Sequence, residues 1–351
     1  MTEQRGKAAW RTCFSSVTPG GHKLDALKSA VQKYLRRREC AKMERAVVEI
    51  YLLHDLARSD QEKKAARGIV TNLVNRLVIM MDEEMLFCEW AKFLRCREWL
   101  DAFEEGGRSD VGYLIKVCRT MCGAELLRLN SDIRGYWGRG AGSRCAADEC
   151  PQGDISTIVQ PKDGVWLDAG GRAELVAFSG CLAAGDPRAY KWALALTRRR
   201  GTGATRWRRR QPVWAGWEIM LRIGKETSPY LVACIERRLR EFQIKSGKSE
   251  RHMWMSAAVS LVIHRKRLDW GEEQMRWDVE LGEGEVEALL ADRTPFEIDD
   301  YAIDQHCSQG RALGRGRAHF RKEGRLVVRE NEEYFQPEWR SGNRVARKTV
   351  K

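Results

Sequence analysis

Acidic residues and one histidine crowd a short segment near the C-terminal end of the chain, at Glu297, Asp299, Asp300, Asp304 and His306. Carboxylates at such spacing can hold a divalent cation, and two-metal nucleases use similar groups to activate water and to stabilise the leaving oxygen. The same acids also suit the first turn of a helix whose apolar residues pack inward. We favour this structural role, with Arg311, Arg315 or Arg317 as the expected partners of the acids.

The densest run of positive charge is residues 198–210, in which seven arginines share a glycine-containing stretch with one tryptophan. Guanidinium groups match phosphate oxygens, and an unpaired base can stack on the indole ring. The alternative is a solvated loop that repels itself, but so dense a run is costly to maintain without an anion. We therefore predict a nucleic-acid contact at Arg198, Arg199, Arg200, Arg206, Trp207, Arg208, Arg209 and Arg210.

Other chemistries find less support in the sequence. No Walker-type phosphate loop is present, and the Gly-Arg-Gly-Arg stretch at 314–317 is short and follows no predicted strand. Cys118 and Cys122, with Cys145 and Cys150 beyond them, have the wrong spacing for zinc, so we expect buried or idle thiols. We predict no cofactor and no metal, and a non-enzyme is expected over an enzyme.

Charge and length narrow the class of protein. The 351 residues suffice for two domains, and a net charge of +13 with a pI near 9.3 favours a polyanionic partner, DNA above all. A basic protein without such a partner is the alternative. No apolar run approaches the roughly 20 residues that cross a bilayer, and no signal region follows Met1, so we expect no membrane partner and an intracellular location.

Hydrophobic periodicity predicts a mainly α fold. Five amphipathic stripes between residues 22 and 129 indicate a helical bundle, in which Lys28, Gln32 and Arg36 of the first helix face away from the core. Cations at 36–38 complement the macrodipole at the end of that helix. Only 156–159 and 325–328 resemble strands. The predicted organisation is a tail (1–21), the bundle (22–129), a Gly-rich linker (130–161), a second, mostly helical domain (162–320) and a basic tail (321–351).

Two of these helical segments resemble a known signature. Residues 29–37 and 75–84 are similar to the C-terminal collar of clamp-loader-like ATPases that include the Werner-helicase-interacting proteins. Arg76, Leu77, Met80, Glu83 and Glu84 fall in the matching places. Glycines of the collar pattern are replaced here by Arg37 and Leu86. The resemblance implies a collar without its motor, which would depend on its own oligomerisation or on a partner from replication or recombination.

A third segment, from Glu297 to Gly314, resembles a motif in uncharacterised proteins of large eukaryotic DNA viruses, which also carry the two helical segments in this order. This resemblance implies a viral protein located in the host nucleus or a virus factory. The residues that carry the combined motif are Ser29, Lys33, Arg36, Arg76, Glu83, Glu84, Asp299, Asp300, Asp304, His306, Gly310, Arg311 and Gly314.

The sequence thus predicts a nucleic-acid-binding accessory protein of DNA replication or recombination that acts without catalysis through Arg-rich surfaces. One alternative is a divalent-metal nuclease centred on Glu297 to His306. Another is a packaging or virion-associated protein whose charge neutralises DNA. Salt-dependent binding without cleavage separates the first and third from the second, and a preference for forks or single strands separates the first from the third.

Overall fold

The computed structural model describes residues 16–130, 133, 150–151, 169–198, 212–244, 248–292, 294 and 296–324. The prediction of a mainly α fold is confirmed. Within these ranges no strand forms, and only isolated bridges join Val17 to Lys23 and Met85 to Leu126. None of the described helices is long and apolar enough to span a bilayer. The strand-like stretches 156–159 and 325–328 lie outside the described residues, as do residues 1–15 of the predicted N-terminal tail (1–21) and residues 325–351 of the predicted C-terminal tail (321–351).

The chain divides into two compact units that do not follow the predicted domain bounds. The first unit comprises Met1–Met85, Ala91–Leu127 and Met275–Glu330, and the second comprises Leu86–Trp90, Arg128–Gln274 and Asn331–Lys351. The segment from 275 to 320, predicted to lie in the second domain, therefore belongs to the first unit. The side chains that hold it there are buried, charged residues of the first helix, described below.

Five helices build the first part of the first unit, as their amphipathic stripes predict. Buried residues at three- and four-residue steps, such as Leu27, Val31 and Leu35, supply the core. A capping box of Ser59 and Glu62 starts the third and longest helix. The helices are α1 (Leu24–Arg37), α2 (Cys40–Asp55), α3 (Asp60–Glu84), α4 (Trp90–Glu105) and α5 (Gly112–Cys122).

Short elements complete the first unit after residue 275. They are α11 (Glu285–Ala291), a single 3-10 turn (Asp300–Ala302), α12 (Ser308–Ala312), α13 (Arg317–His319) and a π-helical turn (Phe320–Gly324). The predicted α-helical start at 297–304 is thus wrong and is replaced by the 3-10 turn. The Ala302 carbonyl accepts a hydrogen bond from Ser29 Oγ at 2.7 Å, and the backbone after it is extended. The 3-10 turn therefore ends at Ala302, where the backbone becomes extended.

Five helices form the described part of the second unit. Phe178, Leu196, Trp217 and Trp254 are buried on the inner faces of these helices. Gly216 of this core lies against Phe178, Leu196 and Met255, where an added Cβ would be 3.0–3.3 Å from their side chains. The helices are α6 (Ala169–Ala184), α7 (Ala189–Arg198), α8 (Pro212–Thr227), α9 (Pro229–Ile244) and α10 (Lys248–His264).

Candidate functional site

The motif residues of α1 and of the segment after 296 meet in the interior of the first unit. Ser29 and Lys33 are one helical turn apart, so both lie on the same face of α1. Lys33 Nζ lies 2.7 Å from Asp304 Oδ2 and 3.0 Å from Ser29 Oγ. The Lys33 and Asp304 side chains are only 2% and 0% exposed. An ion pair this deeply buried persists only because its remaining polar atoms are also satisfied.

A second ion pair joins α1 to the end of α3. Arg36 donates to Glu84 Oε1 from Nε at 3.0 Å and from Nη2 at 2.7 Å, and it also donates to the Gly324 carbonyl. Gln32 Nε2 donates to Glu84 Oε1 at 2.8 Å and to Glu83 Oε2 at 3.3 Å. The Arg36 and Glu84 side chains are 2% and 0% exposed. We call Ser29, Gln32, Lys33, Arg36, Glu84 and Asp304 the buried charge cluster.

The cluster corrects the predicted orientation of α1. Gln32 and Arg36, expected to face away from the core, are buried because Glu84 of α3 and the 296–324 segment cover that face. Arg36 therefore binds side chains as well as ending the helix. Its neighbours behave similarly: Arg37 lies 3.5 Å from the centre of the Tyr301 ring, and Arg38 Nη2 donates to the Ala124 carbonyl at 3.1 Å. Arg76 Nη2 donates to Gln32 Oε1 at 3.1 Å.

Burial and charge shift the titration of the cluster. Burial lowers the pKa of Lys33 to about 8, although the carboxylate of Asp304 opposes the shift. Burial alone would raise the pKa of Asp304, but the hydrogen bond from His306 and the charge of Lys33 hold that pKa below its usual range. The lowered pKa of Asp304 keeps its carboxylate ionised at neutral pH, and a pKa of about 8 still leaves Lys33 mostly protonated there. The pair therefore exists as an ion pair under those conditions.

Asp304 is fixed by its own segment as well as by α1. His306 donates to Asp304 Oδ1 from its backbone N at 2.8 Å, and its ring Nδ1 lies 2.9 Å from the same oxygen. Gly310 packs directly against the Asp304 backbone, where an added Cβ would lie 1.9 Å from the carbonyl oxygen. No side chain fits there, which explains a glycine at this motif position. The His306 ring meets Phe320 edge-on at 4.8 Å between centroids.

The remaining motif residues lie around the cluster without joining it. Asp299 pairs with Lys42 at 2.9 Å, and Asp300 pairs with Arg315, one of its predicted partners. Arg311 Nη1 donates to the Gln305 carbonyl at 3.2 Å, and Gly314 has a φ of 68°, where glycine is favoured. The acids from 299 to 304 thus each bind a cation of the protein. In the described residues, no three His, Cys, Asp or Glu side chains are placed to hold a metal ion.

The predicted nucleic-acid contact lies almost wholly outside the described residues. Arg198 is the last residue of α7, and α8 begins at Pro212. The other predicted contact residues fall between these helices and lie outside the described residues: Arg199, Arg200, Arg206, Trp207, Arg208, Arg209 and Arg210. Cys145, considered above as a zinc ligand, also lies outside them.

The chain matches no protein-family model, no curated protein and no solved structure.

Proposed function

We propose that the protein binds nucleic acid without cleaving it, with DNA as the expected form, and that residues 198–210 make the main contact. An accessory role in DNA replication or recombination is part of the same proposal and rests on the collar resemblance. The observation that carries the proposal is the uneven distribution of charge between the two units.

The second unit has a large excess of cations. Residues 128–274 contain 26 Lys and Arg but only 16 Asp and Glu. The first unit contains 26 Lys and Arg and 27 Asp and Glu in residues 16–85, 91–127 and 275–324. At least ten Lys and Arg residues between 128 and 274 therefore cannot pair one-to-one with the acids of the same stretch. Such an excess attracts polyanions, and it supports placing the contact in the second unit.

The position of the arginine run supports the same assignment. The helices on either side of it, α7 and α8, bury Trp192, Leu196 and Trp217, so the two ends of the run are fixed to a packed core. Arg, Gly and Trp are the residue types that contact a phosphate backbone and stack on unpaired bases. A run anchored at both ends loses less conformational entropy on binding than a free tail of the same sequence.

Fluorescence anisotropy with single-stranded, duplex and forked DNA tests the proposal. We expect salt-dependent binding, and a variant with Arg206, Arg208, Arg209 and Arg210 changed to Ser should bind every DNA more weakly. An incubation of the same DNA with protein and magnesium should leave it intact. Magnesium-dependent cleavage would favour the nuclease alternative, and the absence of binding at low salt would contradict the proposal.

A further inference from the structure

Two cysteines from different helices meet inside the first unit. Cys40 is the first residue of α2, and Cys122 is the last residue of α5. Met43 lies one turn after Cys40 on α2, and its Sδ atom is 3.6 Å from Cys122 Sγ. A side-chain hydrogen bond also joins Cys122 to Cys40. The two thiols are therefore neighbours in space although they are far apart in the sequence.

A polar contact beside the two thiols holds the helices in the same register. Cys40 Sγ donates to Glu44 Oε1 at 3.1 Å. Arg119, three residues before Cys122 on α5, donates to the same oxygen from Nε at 2.9 Å. Glu44 thus joins the turn of α2 that carries Cys40 to the turn of α5 that carries Cys122. Both sulfurs are positioned by helices that this ion pair holds together.

The two sulfurs differ in their access to solvent. Among the cysteines that the structure describes, only Cys40 and Cys88 are partly exposed. Cys122 is 6% exposed, so an oxidant dissolved in water reaches Cys40 first. The hydrogen bond with Cys40, together with burial, raises the pKa of the Cys122 thiol. Cys122 therefore keeps its proton while both thiols are reduced, and a protonated thiol is a poor nucleophile.

We propose that Cys40 and Cys122 form a reversible oxidation site, at which a hydroperoxide converts the two thiols into a disulfide. Cys40 Sγ attacks a peroxide oxygen, so that an S–O bond forms and the O–O bond breaks, giving a sulfenic acid and, from hydrogen peroxide, water. Cys122 Sγ then attacks Cys40 Sγ, so that the S–S bond forms, the S–O bond breaks and a second water leaves. The two sulfurs lose two electrons, and the peroxide gains them. The inference is independent of nucleic-acid binding.

A second pair of cysteines, in the second unit, separates contact from access. Cys181 has a side-chain hydrogen bond with Cys150. These two residues are 0% and 4% exposed, and the Trp192 indole donates to Cys150 Sγ at 3.0 Å. Both thiols of this pair are thus shielded from a dissolved oxidant. We expect the pair to react more slowly than Cys40 and Cys122, which makes it an internal control.

Peptide mapping of the full chain tests the proposal. The protein is treated with hydrogen peroxide, its remaining thiols are blocked, and a tryptic digest is analysed by mass spectrometry without reduction. Trypsin places Cys40 in residues 39–42, Cys118 in 117–119 and Cys122 in 120–128, so each possible partner has its own peptide. We expect 39–42 linked to 120–128, and dithiothreitol should separate the two peptides. Linkage of Cys150 to Cys181 should be roughly tenfold slower or more.

Three variants assign the roles of the sulfurs. Cys122→Ala removes the second sulfur, so peroxide should leave a sulfenic acid at Cys40 that dimedone labels on peptide 39–42. Cys40→Ser should give neither a linked peptide nor a dimedone label on 120–128, because Cys122 is buried. Cys118→Ala is the matched control: Cys118 lies one turn before Cys122 and is also buried, and its loss should leave the linked peptide unchanged. Circular-dichroism melts show whether each variant is folded.

The digest of the parent protein is decisive even if a variant does not fold. A link from Cys40 to Cys118 would show that the partner is wrong. No link at Cys40, at a peroxide concentration that converts free cysteine to cystine, would overturn the inference. Equal rates for the two pairs of cysteines would contradict the argument from access.

Discussion

The two units use equal numbers of cations in different ways. In the first unit, acids match the cations in number, and many form ion pairs inside the unit, two of them fully buried. In the second unit, acids are too few to match the cations. Charge that is balanced internally supports the fold, whereas charge in excess is available to bind polyanions. The described lysine and arginine pairs of the first unit join Lys33 with Asp304, Arg36 with Glu84, Lys42 with Glu39 and Asp299, Arg45 with Asp292, Arg95 with Glu98, Arg108 with Glu104, Lys116 with Asp278, Arg119 with Glu44 and Glu285, Arg315 with Asp300, and Lys322 with Glu323.

The largest expected effect comes from breaking the buried pair of the first unit. Asp304→Ala leaves Lys33 buried without its partner, so the free energy of unfolding should fall by about 3–5 kcal/mol. Urea unfolding followed by circular dichroism measures the change. The matched control is Lys33→Met with Asp304→Asn, which removes both charges and should recover a large part of the loss. A single variant that unfolds at the same urea concentration as the parent would show that the pair does not hold the segment.

A smaller loss of stability is expected when a methyl group is added at Gly310, which packs against the Asp304 backbone. Gly310→Ala places a methyl group against the Asp304 carbonyl, and the overpacking should cost about 1–3 kcal/mol of unfolding free energy. Gly316→Ala is the control, because a Cβ there meets nothing within 4 Å and the backbone has a negative φ of −92°. Thermal melts of the two variants should therefore differ. Equal melts would contradict the described packing of α12 on Asp304.

The dependence of stability on acid pH also tests the ion pair between Lys33 and Asp304. The pKa of Asp304 is lower in the folded protein than its ordinary value near 3.9, so the unfolded chain binds the proton more readily. Its stabilising contribution is complete above that ordinary value and is lost as the pH falls through the folded pKa. The parent should therefore lose more stability than Asp304→Asn as the pH falls from 5 toward the acid limit of folding. Parallel stability curves for the two proteins would contradict the assignment.

Helix positions were predictable from the sequence because apolar residues recur at a helical period whatever the tertiary contacts are. The stripe that contains Leu27, Val31 and Leu35 is a direct example. The same rule failed for Gln32 and Arg36, since periodicity assigns polar side chains to solvent and cannot anticipate a buried partner. Glu84 supplies that partner for both residues.

Five residues of the buried charge cluster are among the motif residues of the sequence, but Gln32 is not, and the arrangement of the six was not predictable. Ser29 and Asp304 are 275 positions apart, and no local pattern specifies that they meet. The acids at 299, 300 and 304 suit either a metal or a set of cations, and only the positions of Lys42, Arg315 and Lys33 distinguish these cases. An unpaired lysine is rarely buried, so the burial of Lys33 indicates an acidic partner, but that burial is visible only in the structure.

The salt dependence of DNA binding tests the contrast between the units most directly. The log-log slope should be steep for the parent, at roughly 0.7 to 0.9 per phosphate contacted. It should become much shallower when Arg206, Arg208, Arg209 and Arg210 are changed to Ser. The same four residues changed to Lys should keep most of the slope while weakening binding, because charge is retained and the guanidinium fork is lost. If the four-serine variant binds with the slope and affinity of the parent, the excess charge of the second unit does not bind DNA through this run.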